Sequence, residues 1–236
     1  MSNHINLLPI VVLAGGLATR MKPLTEQLPK SLLPCGEFPF LHYQLELFVQ
    51  QGCKEVYLCV GRFAGQIRTY LSKQFIDGLN LTLIDEGEHP LGTGAALVNA
   101  LPKLPKHFFL CYGDSYLLCD FLAVQQAYYA QTKPALMTVY ENNNRLEQSN
   151  LVYTSGEIIQ YSKVEQSEEM KHIDYGLSVF DKDIFSRYNN SDLVNIFQDL
   201  LRANLLAAFE VKQPFYEVGS FHGFERFKKL IKESKN

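Results

Sequence analysis

Short apolar runs rich in β-branched and aromatic residues alternate along this chain with longer stretches of helical period, and that alternation leaves few folds open. Residues 10–14, 55–61, 81–85, 108–112 and 136–140 read as strands. Between them, residues 40–51 place Leu41, Leu45 and Phe48 on one helix face and stop before Gly52. Residues 64–74 repeat the arrangement with Ile67 and Leu71, and 121–131 with Val124 and Tyr128. Strand then helix, repeated, predicts an α/β protein whose mostly parallel sheet is covered on both faces. Past about residue 145 the rhythm shifts to shorter strands and turns, at 150–153, 157–163, 173–180 and 215–218. This portion predicts a lid-like addition packed on the first, closed by a helix over 221–235 that aligns Phe224, Phe227, Leu230 and Ile231.

Charge narrows the partners. The 236 residues carry 22 Lys plus Arg against 25 Asp plus Glu, so no bulk positive field exists for nucleic acid, and any anion must be held locally. No apolar run approaches the ~18–20 residues needed to span a bilayer, since the stretch from Leu7 to Ala14 is broken by Pro9. Met1-Ser2-Asn3-His4 lacks the basic start of a secretory signal, and five cysteines show no metal-ligand spacing. These features predict a reduced, cytoplasmic protein, with Cys59 and Cys111 as core residues and with no nucleic-acid or membrane partner.

Leu13-Ala14-Gly15-Gly16-Leu17-Ala18-Thr19-Arg20-Met21-Lys22-Pro23-Leu24-Thr25, followed by Leu28-Pro29-Lys30-Ser31-Leu32, begins where the first strand ends. In open α/β sheets ligands bind beyond the carboxyl ends of strands. Gly15 and Gly16 let backbone approach a base or phosphate, while Thr19, Arg20 and Lys30 supply a hydroxyl and two cations. Taken singly, these residues also fit a tight turn and ordinary solvated charges. The segment is not a Walker loop, because no Gly-Lys-Ser or Gly-Lys-Thr follows at the required spacing.

Two further segments sit at strand ends. Glu86-Gly87-Glu88-His89-Pro90-Leu91-Gly92-Thr93-Gly94 follows the third strand and opens a helix, presenting bare backbone donors; for Thr93 the plainer role is a helix N-cap. Tyr112-Gly113-Asp114-Ser115 ends the fourth strand, where a carboxylate among phosphates suggests a divalent cation. Read alone, Asp114 is also an ordinary turn or cap residue. A dinucleotide site competes for the same residues, because Gly92-Thr93-Gly94 opens a helix after a strand and Asp114 lies about twenty residues on. Against it, Leu97 stands where close packing needs Gly or Ala, and the 15–30 loop would have no task.

The segment from Leu13 to Leu32 resembles the defining motif of the sugar-1-phosphate nucleotidyltransferases, and the likeness runs across most of the chain. It is most similar to the bacterial branch that includes heptose-1-phosphate and mannose-1-phosphate guanylyltransferases. The resemblance implies a Rossmann-like, mixed but mostly parallel sheet flanked by helices, GT-A-like, with a small sugar-binding subdomain. It treats 1–236 as one domain, nucleotide-binding over about 1–145 and sugar-phosphate-binding over about 146–236. It places Leu13, Ala14, Gly15, Gly16 and Thr19 at the nucleotide, Arg20 on the triphosphate and Lys30 on the reacting phosphates. It sets Glu86, Gly92 and Thr93 at the base and Asp114 on catalytic Mg²⁺.

The family's second metal carboxylate lies in Asp-x-Gly-Thr, for which this chain has Glu217-Val218-Gly219-Ser220, with Glu in place of Asp. The family's Glu-Lys pair after an aromatic is absent from Ile159-Gln160-Tyr161-Ser162-Lys163-Val164, leaving Lys163 as the cation. Asp174 and Gly176 match the strand that faces sugar hydroxyls. The expectation is a Mg²⁺-dependent transfer of a nucleoside monophosphate, GTP favoured, to a heptose- or mannose-type sugar 1-phosphate, with a homo-oligomer left open. Two alternatives stand beside it: a catalytically weak nucleotide-sugar-binding regulator, motivated by Glu217 and Ser220, and a nicotinamide-dependent oxidoreductase using Gly92-Thr93-Gly94.

Overall fold

The computed structural model describes residues 6–16, 18–74, 76–87, 92–188 and 191–234. The alternating pattern forms β1 (Ile10–Leu13), α1 (Phe40–Gln50), β2 (Glu55–Val60), α2 (Ala64–Leu71), β3 (Asn80–Asp85), α3 (Thr93–Ala100) and β4 (His107–Tyr112). The short β5 (Ser115–Leu117) precedes α4 (Phe121–Tyr129) and β6 (Ala135–Glu141). Then come β7 (Leu151–Thr154), β8 (Glu157–Tyr161), β9 (His172–Asp181), α5 (Leu193–Arg202), β10 (Leu206–Val211), β11 (Phe215–Glu217) and α6 (Phe221–Glu233).

The main sheet runs β10-β6-β9-β4-β1-β2-β3, with β7 and β8 branching from β9. Every pairing along that path is parallel except those of β9, which is antiparallel to β4 and β6. This corrects the expectation of a lid-like addition: β9 lies inside the main sheet. The physical reason is its composition. Eight successive residues, from Ile173 to Phe180, are buried, and a strand buried on both faces must be central.

Side-chain alternation along β1 divides the core. Ile10 and Val12 pack with Leu41, Leu45 and Phe48 of α1, Ile67 of α2 and Phe121 and Val124 of α4. Val11 and Leu13 belong to the other cluster, with Ala96 and Leu97 of α3 and Leu193, Ile196 and Phe197 of α5. A third cluster seals the 20–35 segment, where Met21, Leu33 and Phe40 meet Phe224, Phe227 and Ile231 of α6. All five cysteines are buried and free. Among the described residues no helix is long and apolar enough to cross a membrane.

Register brings the loops together. Leu13 pairs with Tyr112, so β1 and β4 end side by side. Antiparallel pairing of β5 with β11 sets Ser115 opposite Glu217, and the Val218 N–H donates to the Asp114 carbonyl at 2.9 Å. Asp114 and Glu217, 103 positions apart in sequence, thus share one small ribbon.

Candidate active site

At the carboxyl ends of β1, β3 and β4 lies one cavity of about 500 Å³. Its wall includes Leu13, Gly15, Gly16, Arg20, Lys30, Glu86, Gly92, Thr93, Asp114, Lys163, Asp174, Gly176 and Glu217. Of the expected site residues only Ala14 and Thr19 are outside it. Ala14 is buried against Gly113, where an added Cβ would come within 2.6 Å of the Ala14 Cβ. Thr19 lies exposed in a single 3₁₀ turn, Thr19–Met21.

At the centre, Lys30 Nζ donates to Asp114 Oδ2 at 2.5 Å, and both side chains are about four-fifths buried. Burial pushes the Asp114 carboxyl up, but the charge and hydrogen bond of Lys30 outweigh it, with Arg20 adding, so it sits below its ordinary 3.8. Gly219 shows how tightly the groups converge. A Cβ built there would lie 2.7 Å from Asp114 Oδ2, 3.0 Å from Glu217 Oε2 and 3.4 Å from an Arg20 nitrogen.

Glu217 is turned back onto its own loop. Its Oε2 accepts from the Gly219 N–H at 2.5 Å and the Ser220 N–H at 3.0 Å, and its Oε1 accepts from the Ser220 hydroxyl. Burial raises its pKa; the Ser220 hydroxyl and Gly219 N–H oppose the rise, while Glu147 and Asp114 add to it. The longer Glu side chain therefore reaches the ribbon with its oxygens partly satisfied. Two carboxylates facing one point still suit Mg²⁺, which is commonly held by one or two carboxylates together with substrate phosphates. Among the described residues no group of three or more His, Cys, Asp or Glu is placed to hold a metal unaided.

On the wall beside β1 and β3, Gly15 lies against the Glu86 carboxylate, whose Oε2 would stand 2.6 Å from an added Cβ and would have to move aside for one. Glu86 Oε1 is buried without a hydrogen-bond partner among the described residues. Burial, with Asp85 nearby, pushes the Glu86 carboxyl up to about 7. The centre of the loop expected to meet the base, residues 88–91, lies outside the described residues. Thr93 is not an N-cap: its hydroxyl donates to Asp192 and accepts from the Leu193 N–H at 3.4 Å, tying α3 to the start of α5.

Gly94 decides the dinucleotide alternative. A Cβ there would meet the Ser191 carbonyl oxygen at 1.8 Å, so the face that a pyrophosphate would approach is filled by protein. Asp114, the carboxylate that such a site would aim at a ribose, is spent on Lys30. Both observations count against the oxidoreductase reading.

On the opposite wall Lys163 Nζ sits 3.6 Å from Asp174 Oδ2 and 5.2 Å from the centre of the Tyr112 ring. Burial works against the Lys163 charge, but Tyr112 and Asp174 raise its pKa above the ordinary value, so it stays an ammonium. Asp174 Oδ1 accepts from the Gly176 N–H at 3.0 Å, and Gly176 adopts φ +96°, a conformation glycine takes without strain.

Residues not anticipated also line the cavity, among them Tyr112, Ser115, Glu147, Gln148, Asn150 and Gln166. Glu147 pairs with Arg20 at 3.8 Å, and Asn150 accepts the Asp174 N–H at 2.9 Å. The dense polar run 141–150 was the available signal: Asn142 donates to the Glu147 carbonyl at 2.6 Å and to Ser149, fixing the loop that carries them.

Residues 10–186 match the MobA-like NTP transferase domain. A heptose 1-phosphate guanylyltransferase of Campylobacter jejuni (D-glycero-alpha-D-manno configuration) is 34% identical over 110 residues, 47% of this chain and 49% of that protein. The match thus spans about half the length of that relative. The enzyme of the same name from Aneurinibacillus thermoaerophilus is 27% identical over 197 residues, 83% of this chain and 84% of its own. HddC from Yersinia pseudotuberculosis complexed with GMP-PN superposes with a TM-score of 0.81 at 22% identity, over 95% of this chain and 100% of that one. That likeness establishes the Rossmann-like nucleotidyltransferase fold.

Proposed function

This chain belongs to the MobA-like NTP transferase domain family, and from that premise we propose that it transfers a nucleoside monophosphate from a nucleoside triphosphate to a sugar 1-phosphate. The observation that carries the reading is the Lys30–Asp114 pair at the centre of one cavity, with glycine loops on one wall and Lys163–Asp174 on the other. A phosphate oxygen of the sugar 1-phosphate attacks the α-phosphorus, a new P–O bond forms as the α–β bridge breaks, and pyrophosphate leaves. The nucleophile is already anionic, so the protein's work is alignment and charge neutralisation. Lys30 and Arg20 meet the triphosphate, and Lys163, held by Tyr112 and Asp174, meets the sugar phosphate. Asp114 and Glu217 are the residues that would hold Mg²⁺, which supplies positive charge beside the reacting phosphate oxygens when bound. A cytoplasmic setting accords with five free thiols.

Guanine is the base that suits Glu86. Glu86 Oε1 is buried without a partner among the described residues, and a carboxylate can accept paired donors such as the N1–H and 2-amino group that guanine offers side by side. Pyrophosphate release measured for four nucleoside triphosphates crossed with heptose, mannose, glucose and amino-sugar 1-phosphates tests the assignment. GTP with a heptose or mannose 1-phosphate gives the fastest turnover; no release from any pair would reject it. In the same assay Glu86→Gln lowers kcat/KM for GTP by about 10- to 100-fold, because one accepting oxygen becomes a donor facing a donor.

The pH dependence has a definite sign. Only ionised Glu86 accepts both base donors, so GTP affinity rises with pH through about 7, and Glu86→Gln flattens the profile. Stability moves the other way. The unfolded carboxyl ionises near 4.5 and the folded one near 7, so the folded state holds the proton longer and loses stability as pH rises between them. Glu86→Gln therefore raises Tm at about pH 8 and leaves it unchanged at about pH 4.

The turned-back Glu217 carboxylate favours a second reading, a nucleotide-sugar-binding regulator with little catalysis. Binding of GTP by calorimetry with no pyrophosphate released across the whole panel would select it.

A further inference from the structure

We propose that Gln44 is a positioning residue that sets the Asp114 carboxylate for the phosphate site; the proposal rests on the nucleotidyltransferase reading above. Gln44 lies in the middle of α1 and is completely buried, although helix α1 otherwise presents an apolar face there. A polar side chain without access to water is retained at a cost unless its donors are used. Both of its amide hydrogens are, Nε2 donating to the Tyr112 carbonyl at 3.0 Å and to the Ser115 carbonyl at 2.7 Å, while its Oε1 is buried without a hydrogen-bond partner among the described residues, a cost borne for those two contacts. These two carbonyls flank Asp114 in the chain, so one amide bridges the mouth of the turn that presents the carboxylate.

The other supports of the turn come from different elements. The Gly113 N–H donates to the Leu13 carbonyl at 2.9 Å, and Gly113 packs so closely on Ala14 that no side chain fits. On the far side the Asp114 carbonyl accepts from Val218 at 2.9 Å. Gln44 is the contribution of α1, and α1 also carries the Lys30 segment, because the Phe40 N–H donates to the Leu33 carbonyl at 3.0 Å just after the 3₁₀ turn Lys30–Leu32. One helix therefore references both members of the Lys30–Asp114 pair. Gln44 does not line the cavity, so its effect passes through Asp114.

The test compares Gln44→Met, of similar volume but without donors, with Gln44→Glu, whose buried carboxyl retains one O–H donor while protonated. Three quantities are measured: Tm, Mn²⁺ affinity by electron paramagnetic resonance in the presence of a non-hydrolysable GTP analogue, and steady-state kinetics. Gln44→Met weakens Mn²⁺ binding and lowers kcat by about 10- to 100-fold, with KM for the sugar 1-phosphate held within about twofold. Gln44→Glu recovers part of the loss, and the recovery fades as pH rises and the carboxyl ionises. Wild-type Mn²⁺ affinity and turnover in both variants would overturn the proposal, as would a lowered Tm unaccompanied by any change in Mn²⁺ affinity. Wild-type protein that releases no pyrophosphate but whose Mn²⁺ affinity still depends on Gln44 would overturn the activity reading and leave the positioning role standing.

Discussion

Lys30→Met is expected to cut pyrophosphate release by about 10²- to 10³-fold, the cost of removing one charge-stabilising contact from a preorganised site. The variant folds, because Lys30 lies in a short 3₁₀ turn whose neighbours Met21, Leu33 and Phe40 are anchored on α6. What it loses is the partner of Asp114. That carboxyl lies below its ordinary 3.8 because Lys30 outweighs the effect of burial, so the pair contributes stability that is present above that value and lost as pH falls through the folded pKa. The Tm difference between wild type and Lys30→Met is therefore present at about pH 7 and shrinks as pH falls below the ordinary carboxylate value of 3.8. Asp114→Asn gives a rate loss of similar size, and the double variant loses little more than either single one, because the two groups act as a unit. Full turnover in folded Lys30→Met would show that the pair is only structural, and strictly additive losses would show that its two members act independently.

That Gly15, Gly16, Arg20 and Lys30 would gather at one cavity was readable because the chemistry expected of the segment restricts residue type. Backbone that must approach a phosphate calls for Gly15 and Gly16, and a polyanion calls for fixed cations such as Arg20 and Lys30, all placed where a buried strand stops. Charge at position 217 was readable for the same reason, but its direction was not: the Glu217 carboxylate is steered by the N–H groups of Gly219 and Ser220, which the chain's spacing does not reveal. The placement of β9 was lost because its local surroundings are turns and short strands, while its position between β4 and β6 is set by burial on both faces. Gln44 and Glu147 were hidden for opposite reasons. Gln44 is a polar residue on an apolar helix face whose purpose appears only when a turn 68 positions away arrives above it. Glu147 sits in a run that reads as surface loop until Asn142 and Ser149 fold it against Arg20.

Gly94→Ala should be strongly destabilising, because backbone rather than a flexible side chain fills the space beside this glycine. The new Cβ would fall 1.8 Å from the Ser191 carbonyl oxygen and 2.9 Å from its carbon, both backbone atoms with no rotamer to yield. Relief requires α3 to retreat from the start of α5, which breaks the Thr93–Asp192 tie and opens the layer where Ala96 and Leu97 meet Leu193 and Phe197. Overpacking of this kind costs about 1–3 kcal/mol and sometimes more, and here the upper end is expected, read as a shift in the denaturant midpoint. Gly65→Ala is the internal control. Gly65 lies exposed in α2 with nothing within 4 Å of an added Cβ, so the same change there stabilises by up to ~1 kcal/mol through helix propensity. Because α3 carries Thr93 into the cavity wall, the displaced helix also raises KM for GTP in Gly94→Ala, with KM for the sugar 1-phosphate little altered. A dinucleotide-type loop predicts another pattern, in which a methyl at this glycine blocks a ligand's pyrophosphate and leaves stability untouched. Equal denaturant midpoints for Gly94→Ala and wild type would thus remove the packing role assigned to this glycine and revive the reading that the Ser191 contact argues against.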